Sequence, residues 1–356
     1  MPLRVGLIGA GHIGGAHARA IRGVLQHELA GAAYVAVADR ELVRARRFAE
    51  LAGLPHALHD GHALIDLADV DAVYICTPTR EHRDLVLHAA AAGKAIFCEK
   101  PLAVDLVTAR DLTAAVQAAG VTNQVGLILR YSPIFVVLKQ LIADPRLGRA
   151  MTVLFRDDQF FPIQGHYAST WRKDAKVAGG GALIEHSIHD LDLLRWLLGE
   201  PARLRAETRN FAGHQGIEDL AQVTLGYAGG CVATLVSIWH NVLSRPSLRQ
   251  IELFFENGYF ALDRDFLGSI RMHTSWGGEH ELSEAAVFER YCAIAGIHAE
   301  AERDAARRWS LQDLAFLRAA AAGGPAFPDF AVALRAHELV DAVYRSAATR
   351  AEIAIS

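Results

Sequence analysis

Between residues 179 and 199 the chain reads GGGALIEHSIHDLDLLRWLLG, and Glu185, His189 and Asp192 among its side chains can hold or move a proton. The apolar positions Ile184, Ile188, Leu191, Leu194 and Leu198 recur at helical spacing and predict a helix with one buried face. At roughly 100° per residue, Glu185, His189 and Asp192 then align on a second face, at i, i+4 and i+7. An imidazole between two carboxylates suits acid–base work at neutral pH, because an unperturbed histidine titrates near ~6.5. The same residues also suit structural hydrogen bonds on a partly buried helix, and the stretch by itself leaves both readings open.

A metal centre is the other chemistry that 17 histidines invite. His166, His186, His189, His240 and Glu185 are the set that would assemble it. No histidine pair stands at i, i+4 around a glutamate base, and His186 and His189 point about 60° apart on a helical wheel. No metal is therefore expected.

The elements that must position a ligand begin at the N-terminus. Residues 3–8 form a short apolar run that leads into Gly9, Gly11 and Gly14, after which Ala16, Ala20 and Ile21 open a helical pattern. Strand, glycine loop and helix is the context in which GxGxxG binds a dinucleotide. Gly9 permits the tight turn, Gly11 lets backbone approach a pyrophosphate, and Gly14 lets helix and strand pack closely. His12 and Ile13 start the helix, whose free N–H groups and dipole favour phosphate. A second strand over residues 34–38 ends in Asp39, placed to meet the adenine ribose hydroxyls and to repel a 2′-phosphate, so NAD is expected. Arg40 next door leaves NADP open, because a guanidinium accepts a phosphate.

Strands and helices keep alternating. Helices are expected over residues 60–67, 81–92 and 104–119, and strands over 71–76, 95–98 and 121–128, which argues for a doubly wound parallel sheet. Ligands lie at the carboxyl ends of such strands. That puts three loops in one cleft: residues 9–14, Thr77-Pro78 and Glu99-Lys100. From about residue 130 the pattern changes to strands over 148–156, 203–208, 220–225 and 231–239, with a hairpin signal at Asn257-Gly258. A dinucleotide-binding domain over 1–129 and a sheet domain over 130–356 follow, with a C-terminal helix at about 329–348 returning towards the domain interface.

Composition narrows the class. A chain of 356 residues is long for one core, and 52% apolar with 21% charged residues is normal for a globular protein. The net charge of −4 gives no basic footprint, so nucleic acid is not an expected partner. No apolar run approaches the ~18 residues that span a bilayer, and no signal peptide is read at the N-terminus. Four scattered cysteines fit a reducing cytoplasm.

Read in order, GAGHIGGAH, CTPTREH, CEKPLA and GGGALIEHSIHDLDLLRWLLG resemble the Gfo/Idh/MocA family, the relatives of glucose–fructose oxidoreductase and inositol dehydrogenase. The likeness extends to the late helix VALRAHELVDAVYRSA. It implies a Rossmann domain followed by an open, mainly antiparallel sheet domain covered by helices, with nicotinamide and substrate between them. It implies Lys100 of the EKP motif, His189 and Asp192 as catalytic residues, and His82 of CTPTREH beside the cofactor. Position 185 departs from the family pattern, which has aspartate there, and His186 stands where a non-ionisable residue is usual. The extra methylene shifts the Glu185 carboxylate by on the order of 1.5 Å, a displacement that matters at a reacting centre.

On this resemblance the expected activity is hydride transfer between a nicotinamide and a secondary alcohol or ketone of a sugar, sugar derivative or inositol-like polyol. His189 would shuttle the proton, Lys100 would donate to the same oxygen, and Asp192 would orient the imidazole or bind a neighbouring hydroxyl. Arg130, Tyr131, His166, Trp171, Arg172, Glu185 and His240 supply the donors, acceptors and aromatic faces that a polyol needs. Two alternatives use the same scaffold: a redox-neutral NAD-dependent glycosidase or lyase, and a non-enzymatic dinucleotide-binding sensor. The family often assembles through its open sheet, so a homodimer or homotetramer is expected.

Overall fold

The computed structural model describes residues 2–26, 32–308 and 311–355. By contact the chain divides into two units, 1–127 with 299–335, and 128–298 with 336–356. The first holds six parallel strands, β1 (Leu3–Ile8), β2 (Ala32–Ala38), β3 (His56–Leu58), β4 (Ala72–Ile75), β5 (Ala95–Cys98) and β6 (Asn123–Val125), in the order β3-β2-β1-β4-β5-β6. β4 is buried at every position, as a strand covered on both faces must be. The helices between the strands are α1 (His12–Gln26), α2 (Leu42–Ala52), α3 (Gly61–Ile65), α4 (His82–Ala91) and α5 (Leu106–Ala119). Asp60 and Asp105 cap α3 and α5 by accepting from the backbone N–H of His62 and Thr108. This is the expected doubly wound sheet; β3 and α2 are additions that the sequence reading did not assign.

The second unit is a nine-stranded sheet. Its strands are β7 (Ala150–Phe160), β8 (Arg203–Arg209), β9 (Leu220–Gly226), β10 (Val232–His240), β11 (Leu248–Phe255), β12 (Gly258–Leu262), β13 (Ile270–Thr274), β14 (Gly278–Leu282) and β15 (Ile353–Ala354), in the order β14-β13-β12-β11-β7-β10-β9-β8-β15. Neighbours run antiparallel except β7 and β10, which are parallel. The hairpin between β11 and β12 forms where Asn257-Gly258 announced it, but Phe255 pairs with Gly258, so Glu256 and Asn257 make the two-residue loop. β10 alternates between buried Ala233, Leu235, Ser237 and Trp239 and a less covered face bearing Thr234, Val236 and Ile238. Helices α6 (Pro133–Leu141), α7 (Ala175–Ala178), α8 (Ile188–Leu198) and α9 (Glu284–Ala295) belong to this unit.

The last three helices are α10 (Glu300–Arg308), α11 (Gln312–Ala322) and α12 (Phe330–Thr349), followed by β15. Residues 299–335 are grouped with the first unit, whereas the sequence boundary at 129/130 assigned all of them to the second. The reason is packing. Leu314, Phe316 and Leu317 of α11 join Val5, Leu7, Ile21, Val37, Tyr74 and Phe97 in one core, while Phe330 and Ala333 complete the core on the opposite sheet face. Among the described residues, no helix is long and apolar enough to cross a membrane.

The glycine loop has three distinct environments. Gly9 has φ +99° and a Cβ there would lie 2.6 Å from the carbonyl oxygen of Cys76. A Cβ at Gly14 would overlap the carbonyl oxygen of Gly9, so the hydrogen at that position sets how closely α1 approaches β1. A Cβ at Gly11 would meet nothing within 4 Å. Gly14→Ala is expected to lower stability by the ~1–3 kcal/mol typical of overpacking, or more, and Gly11→Ala to leave it unchanged. Thermal unfolding of the two variants without cofactor checks this.

Candidate functional site

The stretch that opened the sequence reading is not one regular helix. Leu183–Ser187 forms a π-helical turn that passes into α8 at Ile188. A π turn bonds i to i+5 and holds one residue more than an α turn. The π turn changes the angular step through Glu185, so the regular i, i+4, i+7 spacing does not carry over to all three residues, while His189 and Asp192 keep their i, i+3 relation on α8. The two-faced pattern is also replaced, because every residue from Ile188 to Leu194 is buried.

The last of the three leading glycines answers to Glu218, which lies just before β9. Its carboxylate accepts from the backbone N–H of Gly181 (2.8 Å) and Leu183 (2.9 Å) and from the Tyr344 hydroxyl (3.0 Å). A Cβ at Gly181 would overlap the Glu218 carbonyl oxygen, and one at Gly180 the Tyr344 hydroxyl. A distant acid thus satisfies amides that a helix start leaves without partners.

Each carboxylate around His189 is matched by an arginine from another element. Asp192, 2% exposed, takes a bidentate pair from Arg130 of the turn Ile128–Tyr131, Nε to Oδ2 and Nη2 to Oδ1, both 2.7 Å. Glu185 accepts from Nε of Arg172 at 2.8 Å, and the Arg172 guanidinium lies 4.5 Å from the ring centre of Trp171. Asp190 accepts from Nε of Arg249 on β11 at 2.7 Å. Arg130 and Arg172 were expected as substrate ligands; here they hold carboxylates, because a buried anion needs a paired and hydrogen-bonded cation. Likewise Asp192 turns both oxygens to Arg130.

Sequence reasoning missed Asp157, Asp190 and Arg249. Arg249 reaches Asp157 (3.3 Å) and Asp265 (2.9 Å) as well as Asp190, and His186 and Ser187 add bonds to Asp157 at 3.1 and 3.2 Å. His186 is thus a member of this cluster, and among the described residues no group of three or more His, Cys, Asp or Glu side chains is arranged to hold a metal. Burial pushes the Asp157 carboxyl up, and pushes that of Asp190 up to about 7 despite Arg249. Two consecutive acids inside the otherwise alternating strand β7 were the available signal.

The other sugar-binding candidates lie on separate segments of the second unit. Tyr131 ends the turn that bears Arg130. His166 lies against Tyr167 at 4.1 Å between ring centres, the rings tilted 40° to each other, and meets Phe160 edge-on. Trp171 and Arg172 share the short helical turn Thr170–Lys173 before α7. His240 accepts from the Val242 N–H at Nδ1 (3.2 Å) and turns Nε2 towards Asp158 (3.6 Å).

In the first unit the nucleotide residues are arranged around the end of β1. Asp39, 7% exposed, accepts from the backbone N–H of Ala10 and of Glu41, both at 2.9 Å, with Arg44 3.4 Å away. That carboxylate braces the glycine loop and keeps acceptor capacity for ribose hydroxyls. Arg40 is exposed and 3.6 Å from Glu81. Gly11, His12 and Ile13 are exposed at the start of α1, Thr77 and Pro78 follow β4, and the Thr77 hydroxyl is buried with no hydrogen-bond partner among the described residues. An open Gly11 between two jammed glycines, first-turn amides and a hydroxyl lacking a partner fit a dinucleotide. His82 does not belong to that set. It is buried and turns its ring to the carbonyls of Pro101 and Thr77, both at 3.0 Å, so it straps two loops together. Glu99 accepts from the Lys100 N–H (3.1 Å) and faces His17 (2.9 Å), and Lys100 is half-buried just past β5.

A parallel sheet in the order 3-2-1-4-5-6 with a glycine-loop cradle, followed by a mixed open sheet, defines a nucleotide-dependent oxidoreductase architecture. A family profile described as "Oxidoreductase family, NAD-binding Rossmann fold" matches residues 3–127, and one described as "GFO/IDH/MocA C-terminal domain" matches 135–261. The chain belongs to the Gfo/Idh/MocA family. It is 32% identical over 286 residues, 78% of each chain, to inositol 2-dehydrogenase 4 of Saccharopolyspora erythraea. It is 38% identical over 202 residues to inositol 2-dehydrogenase of Rhizobium meliloti, a match that spans 56% of each chain. A levoglucosan dehydrogenase solved with NADH shares the fold over the full length of both chains, with TM-score 0.86 and 24% identity.

Breaking a buried pair leaves a desolvated charge. Arg130→Met is therefore expected to destabilise the second unit by about 3–5 kcal/mol, and the paired change Arg130→Met/Asp192→Leu to recover most of that loss. Chemical denaturation of the single and double variants measures it.

Proposed function

We propose that this chain is an NAD-dependent dehydrogenase acting on a secondary alcohol of a sugar or of an inositol-like cyclic polyol. The observation that carries the reading is the pairing of Glu185, Asp190 and Asp192 with three arginines around His189, which leaves an imidazole, rather than a carboxylate, to exchange the proton. The bound nicotinamide supplies the hydride acceptor. His189 takes the proton of the reacting hydroxyl, and Lys100 donates to the developing alkoxide and stabilises its charge. Asp192 and Glu185 act through Arg130 and Arg172, and Trp171 offers an aromatic face to the C–H edge of a ring. Asp39 disfavours a 2′-phosphate and supports NAD over NADP. The names of the relatives, inositol 2-dehydrogenases, point to the cyclic polyol.

The same reading makes the protein a cytoplasmic homo-oligomer. Cys76, Cys98, Cys231 and Cys292 are free thiols, which suits a reducing compartment. The less covered face of the second sheet bears Leu154, Thr234 and Glu252 in one row and Phe254, Thr152 and Val232 in the next, a mixed surface that a second copy of the chain would cover. Leu154→Arg is expected to lower the mass measured by light scattering.

A panel of inositols and sugars offered with NAD and with NADP tests the function. Reduced nicotinamide is expected to accumulate with at least one cyclic polyol, with the higher kcat/KM on NAD. His189→Ala and Lys100→Ala should each lower kcat by about 10²-fold or more while still binding NADH. Full turnover in either variant removes that residue from the mechanism. Absence of turnover across the panel with NADH binding intact sinks the dehydrogenase reading.

A further inference from the structure

His17 is a buried titratable group of the first unit with no part in the proposed proton or hydride transfer. It lies on α1, five residues from the start of the helix, and its side chain is 5% exposed. Its ring packs against Phe97 edge-on at 4.9 Å and Tyr74 at 5.3 Å, and Phe316 of α11 packs against both of those rings. Nδ1 stands 2.6 Å from Oδ1 of Asp313 and Nε2 stands 2.9 Å from Oε1 of Glu99. A neutral imidazole has one N–H and would turn its lone pair on one of those carboxylates; the imidazolium donates to both. Burial opposes the charge, but the two acids outweigh it and hold His17 protonated up to about 10.

The clamp has a direction. Glu99 directly precedes Lys100, and its second oxygen accepts the Lys100 backbone N–H at 3.1 Å. On a third side the carboxylate rests on Gly126, where a Cβ would lie 2.5 Å from Oε1. Glu99 is thus held by an imidazolium, a backbone amide and a glycine, and the imidazolium ties it to both α1 and α11. The other titratable groups facing the three are Lys100 and the side chains of Tyr74, Cys76 and Cys98; burial pushes the last three up, so they stay neutral. One imidazolium between two carboxylates therefore presents a net charge of about −1 to the lysine loop.

We propose that His17, with Asp313 behind it, is a positioning residue that sets the Lys100 loop against the phosphate-binding helix by clamping Glu99. This rests on the reading of Lys100 as the group that stabilises the alkoxide. The clamp explains why a helix from beyond residue 310 returns to the first unit. It delivers the acid that keeps His17 charged, so that the helix cradling phosphate and the loop bearing Lys100 move as one piece.

Two measurements on the full-length protein test it. Nitrogen NMR of histidine-labelled protein at pH 8 should show both ring nitrogens of His17 protonated, with Asp313→Asn lowering the pH at which that proton is lost; a neutral ring at pH 8 in the native protein overturns the clamp. This readout needs no turnover, so it stands or falls separately from the dehydrogenase reading. In the active enzyme, His17→Gln and Asp313→Asn should lower kcat on the order of 10–100-fold, the scale of outer-shell partners. KM for the polyol should stay near native. Removing the Asp313 charge should also move the alkaline limb of the pH–kcat profile to lower pH, because His17 then loses its proton, and with it the charged hold on Glu99, at lower pH. Native kcat and an unshifted alkaline limb in folded Asp313→Asn protein refute the positioning role, even where His17→Gln fails to fold.

Discussion

The second unit depends on pairing buried carboxylates with arginines. A helix with Asp190 and Asp192 facing inward, entered through a turn carrying Glu185, has no place in a protein interior unless each acid meets a cation and further hydrogen bonds. The three arginines come from a turn ahead of α6, a turn ahead of α7, and strand β11. Well-packed apolar residues would have been at least as stabilising. The charge pairs tie the helix and its entry turn to three other segments of the unit. The direction in which His189 projects is therefore a property of the whole unit, set by segments up to about 120 residues apart in the chain.

Much of this was legible in the residues. The alternation of apolar runs and helical periods gave the parallel sheet, and GAGHIG with Asp39 gave the nucleotide end of it, because both depend on local spacing. The stretch from Gly179 to Gly199 stood out for the same reason. What its spacing concealed was the π turn, which is selected by tertiary contacts and not by any residue type within LIEHS. The partners of Glu185 and Asp192 were named as residues of interest, Arg172 and Arg130, yet assigned to a ligand. No local pattern says whether a guanidinium will face a substrate or a carboxylate from a distant segment. Arg249 and Asp313 were invisible for a stronger reason: each is an ordinary charged residue whose neighbours lie 59 and 296 positions away in the chain.

The three loop glycines show how a single motif divides its work. Gly14 is demanded by the packing of α1 on the strand end, Gly9 by a backbone angle and by the main chain at Cys76, and only Gly11 is left to a ligand. Two thirds of the fingerprint therefore concerns the fold, which explains why such a motif marks the architecture more firmly than it marks a cofactor.

The first unit is discontinuous, and this bears on its birth at the ribosome. All six strands have been synthesised by residue 125, yet the sheet face bearing Val5, Leu7, Tyr74 and Phe97 waits for Leu314, Phe316 and Leu317, and His17 waits for Asp313. At a synthesis rate of roughly 5–20 residues per second, that face stays without its closing helix for on the order of ten seconds or more. During that interval the nascent sheet is an apolar surface over a half-neutralised histidine, the kind of surface that chaperones recognise. The protein thus completes its nucleotide-binding half only after residues 128–298 of the other half have been made.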